Sequence, residues 1–169
     1  MTNALPTALV LAAGLGTRLM PLTLCRAKAA VPVAGVPLIC RHLQRLTKQG
    51  VDDGVINLHH RPETIAAVVG DGFSFGCRVR FSWERLPLGS AGGPRHALPL
   101  LGRRFIALNA DTLCDIDLEA LLETHLSRGA SVTLAVTQNL APHRYGGVLI
   151  DTDGWVKEFA QAGDRRQSW

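Results

Sequence analysis

Aromatic side chains are scarce in this chain: five Phe, three Trp and one Tyr among 169 residues. A surface that stacks on nucleic-acid bases needs more of them, set beside a cationic stripe. The formal charge is +4, yet the basic residues are scattered, and the longest clusters are the pairs Arg103-Arg104 and Arg165-Arg166. No nucleic-acid partner is expected. Long apolar runs are also missing. None approaches the roughly 20 residues that a bilayer-spanning helix needs, and no basic stretch precedes the first apolar run. No signal peptide and no membrane partner are expected, which points to the cytoplasm. Cys25, Cys40, Cys77 and Cys114 form no CxxC pair and have no histidine at ligand spacing. They read as reduced thiols, mostly in the core. The six histidines form no HExxH motif, and Ser90 lacks the nucleophile elbow of a hydrolase triad.

What is present is a well-punctuated chain with 47% apolar residues, enough for a proper core. It reads as one domain over residues 1–169. Ala8 to Ala13 is apolar without alternation, as in a parallel strand covered on both faces. A long loop from Gly14 to Val36 follows, and loops of that length in a compact domain commonly carry function. Pro37 opens a helix with Ile39, Leu43 and Leu46 on its inner face, closed by Gly50. Val55 to Leu58 is the next strand. Pro62 then starts a short helix with Ile65, Val68 and Val69 inward.

Cys77 to Trp83 alternates as a strand with one wetter face. Ser90 to Ala97 reads as a helix and Phe105 to Leu108 as a third central strand. Asp115 or Asp117 caps a helix whose inward positions are Leu118, Leu121, Leu122 and Leu126. Ser131 to Val136 is expected to be a further strand. Gly147 to Ile150 and Trp155 to Phe159 are expected to form a hairpin around Thr152-Asp153-Gly154. The alternation implies an α/β class: a Rossmann-like, doubly wound, mostly parallel sheet with helices on both faces. No terminal helix closes it, so the fold is expected to be cut short at its carboxyl end.

The chemistry concentrates in the first loop. Gly14-Leu15-Gly16-Thr17-Arg18 directly follows a strand, where glycines let main-chain N–H groups approach a bulky anion. Arg18 and Lys28 add positive charge. The turn is not a dinucleotide fingerprint, because Leu19 stands at the third glycine. Nor is it a P-loop, since no Gly-Lys-Ser/Thr follows. Asp111 lies just past a strand's carboxyl end, a place where open α/β sheets bind ligands. By itself it is a magnesium candidate or a turn residue.

The run LAAGLGTRLMPLT from Leu11 to Thr23, with Lys28 and Pro32-Val33-x-Gly35-x-Pro37 after it, resembles the N-terminal signature of the sugar-1-phosphate nucleotidylyltransferases. Leu88-Gly89-Ser90-Ala91-Gly92-Gly93, Leu108-Asn109-Ala110-Asp111 and Tyr145-Gly146-Gly147-Val148 resemble three further segments of that family, in order. The resemblance implies transfer of a nucleoside monophosphate from an NTP to a sugar 1-phosphate, with pyrophosphate leaving. It implies Arg18, Lys28 and Asp111 as catalytic residues, with Asp111 presenting Mg²⁺. It implies nucleotide contacts from Leu11, Ala12, Ala13, Gly14, Gly16, Thr17, Glu84, Gly89, Ser90 and Gly92, with Glu84 reading the base edge. Asn109, Tyr145 and Gly146 are implied at the sugar.

Three features depart from the family pattern. Ala27 replaces the proline before the lysine, which should loosen the loop. Ala160-Gln161-Ala162-Gly163 stands where many members have Glu-Glu-Lys-Pro, and Arg165 or Arg166 is the nearest substitute cation. A second metal aspartate is implied beyond residue 169. An inert homologue that only holds a nucleotide is therefore the alternative to an enzyme, and an oxidoreductase domain is disfavoured.

Overall fold

The computed structural model describes residues 5–164, 166 and 168–169. It divides into two compact units, Met1–Leu122 and Glu123–Trp169.

The first unit is built on four parallel strands. β1 (Ala8–Leu11) leads into a long excursion made of short helical turns at Thr17–Leu19, Leu22–Leu24 and Lys28–Ala30. A small hairpin of β2 (Pro32–Val33) and β3 (Val36–Pro37) ends it. The stretch read as one loop is thus largely ordered turns. The β2–β3 turn places Ala34 and Gly35 at positive φ, as primed hairpin turns require.

Helix α1 (Leu38–Lys48) follows, with Pro37 as its N-cap rather than its first helical residue. Then come β4 (Asp53–Leu58), α2 (Pro62–Val69), β5 (Arg78–Trp83), α3 (Gly89–Ala97), β6 (Ile106–Asn109) and α4 (Leu118–Ser127).

The sheet order is β5-β4-β1-β6. Strand residues alternate between two faces, so β1 sends Val10 to one core and Leu9 to another. Ile39 and Leu43 of α1, Ile65 and Val69 of α2 and Leu118 of α4 join Val10, Ile56 and Val79. Ala97 of α3 joins Leu9 and Val55, with Leu100, Leu101 and Phe105 against them. Helices therefore cover both faces, as the apolar runs implied.

At the carboxyl edge Leu11 is in register with Asn57 on one side and Asn109 on the other. The winding direction reverses between β1 and β6, which opens a crevice beyond those ends.

Two expectations need correction here. The strand read as central, β6, lies at the edge of this sheet, and its side chains alternate between half-buried and exposed. Leu126, expected inward, is exposed, while Leu121 packs on the core. The cap of α4 is Asp117, whose Oδ1 accepts from the Ala120 N–H at 3.0 Å. Asp115 instead pairs with Arg45.

In the second unit β7 (Gly147–Ile150) and β8 (Val156–Ala160) form the expected antiparallel hairpin, with an irregularity at Leu149/Ile150. Ser131 to Val136 forms no strand. Its alternation is real, but among the described residues no neighbouring backbone pairs with it, and Val132, Leu134 and Val136 are exposed. A period-2 pattern makes a strand only where a ladder partner exists.

All four cysteines are free, but only Cys40 and Cys77 are buried, and burial pushes both thiols up. Among the described residues, no helix is long and apolar enough to cross a membrane.

Candidate active site

A cleft of about 450 Å³ lies at the carboxyl edge of the parallel sheet, within the first unit. Its floor is the exit of β1, Leu11 to Ala13, continued by Gly14 to Leu19. Asn109, Ala110 and Asp111 enter from β6, Lys28 from the loop, and Glu84, Pro87, Gly89 and Ser90 from the β5–α3 connection. The ends of β1 and β6 meet at the reversal of winding, so the topology itself brings those two together.

Gly16 holds the turn at φ +66, a left-handed conformation that a side chain resists. There is no room for one either, since an added Cβ would fall 2.8 Å from Thr23 Cγ2. The Thr23 hydroxyl donates to the Gly16 carbonyl at 2.9 Å, and the ring of His60 bonds the Thr23 carbonyl at 2.6 Å. Ala27 is fully buried and donates its N–H to the Thr64 hydroxyl at 2.9 Å. A proline there has no such donor. The departure at Ala27 thus fastens the loop to α2, where looseness was expected.

Lys28 Nζ and Asp111 Oδ2 meet at 2.5 Å, across 83 residues of chain. The hydrogen bond from Lys28 holds the Asp111 carboxyl below the usual range, against the opposing effect of burial. Behind them His42 is buried, with Nε2 3.1 Å from the Ala110 carbonyl. Burial pushes its pKa down, which favours the neutral ring and makes Nε2–H the donor to that carbonyl. Arg18 is exposed at the cleft wall.

Of the residues implied by sequence, Leu11, Ala12, Ala13, Gly14, Gly16, Thr17, Arg18, Lys28, Glu84, Gly89, Ser90, Asn109 and Asp111 line this cleft. Gly92 does not; it sits in α3 over Leu88, whose Cβ would be 2.8 Å from an added methyl. Glu84 is 2% exposed, and both its oxygens are engaged, by Asn57 and by the Leu88 amide. Tyr145 and Gly146 belong to the second unit, where the Arg144 guanidinium lies 5.2 Å from the Tyr145 ring centre. An added Cβ at Gly146 would strike the Ala160 carbonyl, so this glycine serves the hairpin. Arg165 lies outside the described residues. Arg166 is clasped by Asp164 and Glu158, and its contacts lower the Asp164 carboxyl to about 2.

Sequence reasoning missed Asn57. Its signal was a lone amide inside the apolar strand Gly54-Val55-Ile56-Asn57-Leu58, where a buried polar group must find partners.

Asp111 suits a magnesium ion of the kind that takes one or two carboxylates and completes its shell with phosphate oxygens and water. Its side chain is 40% exposed in the cleft. Among the described residues no cluster of three or more His, Cys, Asp or Glu forms a closed cage.

Residues 7–161 match the family model described as nucleotidyl transferase. The chain belongs to that family. It is 34% identical over 155 residues to a mannose-1-phosphate guanylyltransferase of Mycobacterium tuberculosis, covering 91% of this chain and 43% of that protein. It is 35% identical over 158 residues to a mannose-1-phosphate guanylyltransferase catalytic subunit beta of Dictyostelium discoideum, covering 91% of this chain and 44% of that one. The chain thus spans less than half the length of these relatives. Among solved structures, HddC from Yersinia pseudotuberculosis superposes with a TM-score of 0.80 at 26% identity, over 96% of this chain and 72% of that one. The same protein in a complex with GMP-PN superposes at 0.79 with 28% identity, over 96% of this chain and 71% of that one.

Proposed function

We propose that this chain is the nucleotide-binding part of a sugar-1-phosphate nucleotidylyltransferase, with residues 1–169 belonging to one nucleotidyltransferase domain. The observation that carries the reading is the meeting of Lys28 and Asp111 beside the Gly14–Arg18 turn, in one cleft at the sheet's reversal point. The names of the relatives and the GMP-PN bound in HddC favour GTP as donor and a hexose 1-phosphate as acceptor.

In this reading the phosphate oxygen of the sugar 1-phosphate attacks the α-phosphorus of the NTP. The bond to the pyrophosphate oxygen breaks, so one P–O bond forms as another is lost. Such transfer depends on positioning and on neutralising charge. The main chain of Gly14, Gly16 and Thr17 receives the phosphate tail. Arg18 steadies the leaving pyrophosphate, and Lys28 turns from Asp111 towards the reacting phosphates. Asp111 holds the magnesium ion, which supplies Lewis-acid neutralisation of phosphate charge when bound. Leu11, Ala13, Gly89 and Ser90 border the nucleoside, and Asn109 borders the sugar. Tyr145 and Gly146 are assigned to the sugar by resemblance alone.

The experiment pairs each NTP with mannose 1-phosphate and other hexose 1-phosphates, with Mg²⁺, and measures pyrophosphate release. Release that requires both substrates is the expected result. Calorimetric NTP binding without release would leave a nucleotide-holding homologue. Folded protein that does neither refutes the proposal.

A further inference from the structure

Resting on that nucleotide-binding reading, we infer that the buried pair Asn57–Glu84 acts as a positioning device that fixes the nucleoside end of the cleft. Asn57 is 4% and Glu84 2% exposed. The Ala12 N–H donates to Asn57 Oδ1 at 2.6 Å. Asn57 Nδ2 donates to Glu84 Oε1 at 2.7 Å, and the Leu88 N–H donates to Glu84 Oε2 at 2.9 Å. One continuous relay therefore joins the exit of β1, the end of β4, the end of β5 and the entry to α3.

Every link matches a donor to an acceptor. The Asn57 amide uses both its ends, so it cannot flip without setting oxygen against oxygen. Gly93 completes the device. A Cβ there would lie 2.7 Å from both Asn57 Nδ2 and Glu84 Oε1, so only glycine lets α3 pass over the pair.

The two ends of the relay reach the cleft on different sides. Leu11 to Ala13 form its floor, and Pro87, Gly89 and Ser90 line it from the β5–α3 connection. The relay sets the gap between them. The Ala12 N–H is engaged within the protein, and each Glu84 oxygen already accepts one hydrogen bond. The phosphate end is held separately, by the Gly14–Arg18 turn and Lys28.

The test compares GTP with inorganic tripolyphosphate, which lacks a base and a ribose, on the 169-residue chain. Asn57→Ala and Gly93→Ala should weaken GTP binding by about tenfold or more while tripolyphosphate binding stays within about twofold. Glu84→Gln keeps the shape and one acceptor, so it should fall between wild type and Asn57→Ala. Amide exchange at Ala12 and Leu88 should quicken in the same order. Gly93→Ala leaves both polar side chains in place, which covers the case where Asn57→Ala does not fold. Equal loss of both ligands, or GTP binding unchanged in the folded variants, overturns the inference. Wild-type chain that binds neither ligand refutes the nucleotide reading itself, and the inference falls with it.

Discussion

Replacing Gly16 by alanine tests the glycine turn directly. At φ +66 a residue with a Cβ sits in the left-handed region, which costs about 1–2 kcal/mol. The new methyl would also fall 2.8 Å from Thr23 Cγ2 and 3.2 Å from Lys28 Cβ. Thr23 is 2% exposed and cannot swing into solvent. Overpacking of this sort costs about 1–3 kcal/mol more. The expected loss is about 2–5 kcal/mol, a large share of the stability of an ordinary domain.

The two contributions separate in a double-mutant cycle. Thr23→Ser removes Cγ2 and keeps the hydroxyl that donates to the Gly16 carbonyl. In that background Gly16→Ala should cost chiefly the backbone part, about 1–2 kcal/mol, with the milder approach to Lys28 Cβ left in place. Urea unfolding followed by far-UV circular dichroism gives all four stabilities. Equal costs in the two backgrounds, or a cost near zero in the wild type, would refute the steric reasoning.

Asp53 ties the start of the sheet together. Burial tends to raise its pKa, but the Thr7 hydroxyl, Arg78 and Arg80 outweigh this and depress it below the usual carboxylate range. Its stabilisation is thus complete above the unfolded-state value of about 4 and is lost as pH falls through the lower folded value. Asp53→Asn should destabilise the chain at neutral pH by about 1–3 kcal/mol and flatten the acid limb of a stability–pH profile below about pH 4. Leu43→Ala, at a fully buried position of α1, should cost about 2–5 kcal/mol in urea unfolding. Asp111→Asn should remove the Mg²⁺ dependence of GTP binding, read by calorimetry with and without a chelator; an unchanged Mg²⁺ response would sink the assignment. Saturating GTP should stabilise the wild-type chain by about 2.7 kcal/mol at a hundredfold excess over its dissociation constant, read as a thermal shift.

The sequence by itself determined the local elements and the glycine turn of the first loop. Apolar period and glycine or proline punctuation are short-range signals. They sufficed for β1, for the Ile39–Leu43–Leu46 face of α1, for the hairpin of the second unit and for the glycine turn that lines the cleft. Ser131 to Val136 shows their limit, because strand formation depends on a neighbour that the pattern does not name. Only the tertiary structure decided that Lys28 and Asp111 touch, that Ala27 is fastened by Thr64, and that Glu84 is locked to Asn57 and Leu88. Those contacts join residues on different strands and helices. Their partners are chosen by sheet order and register, and a linear pattern does not encode which strand ends will lie side by side.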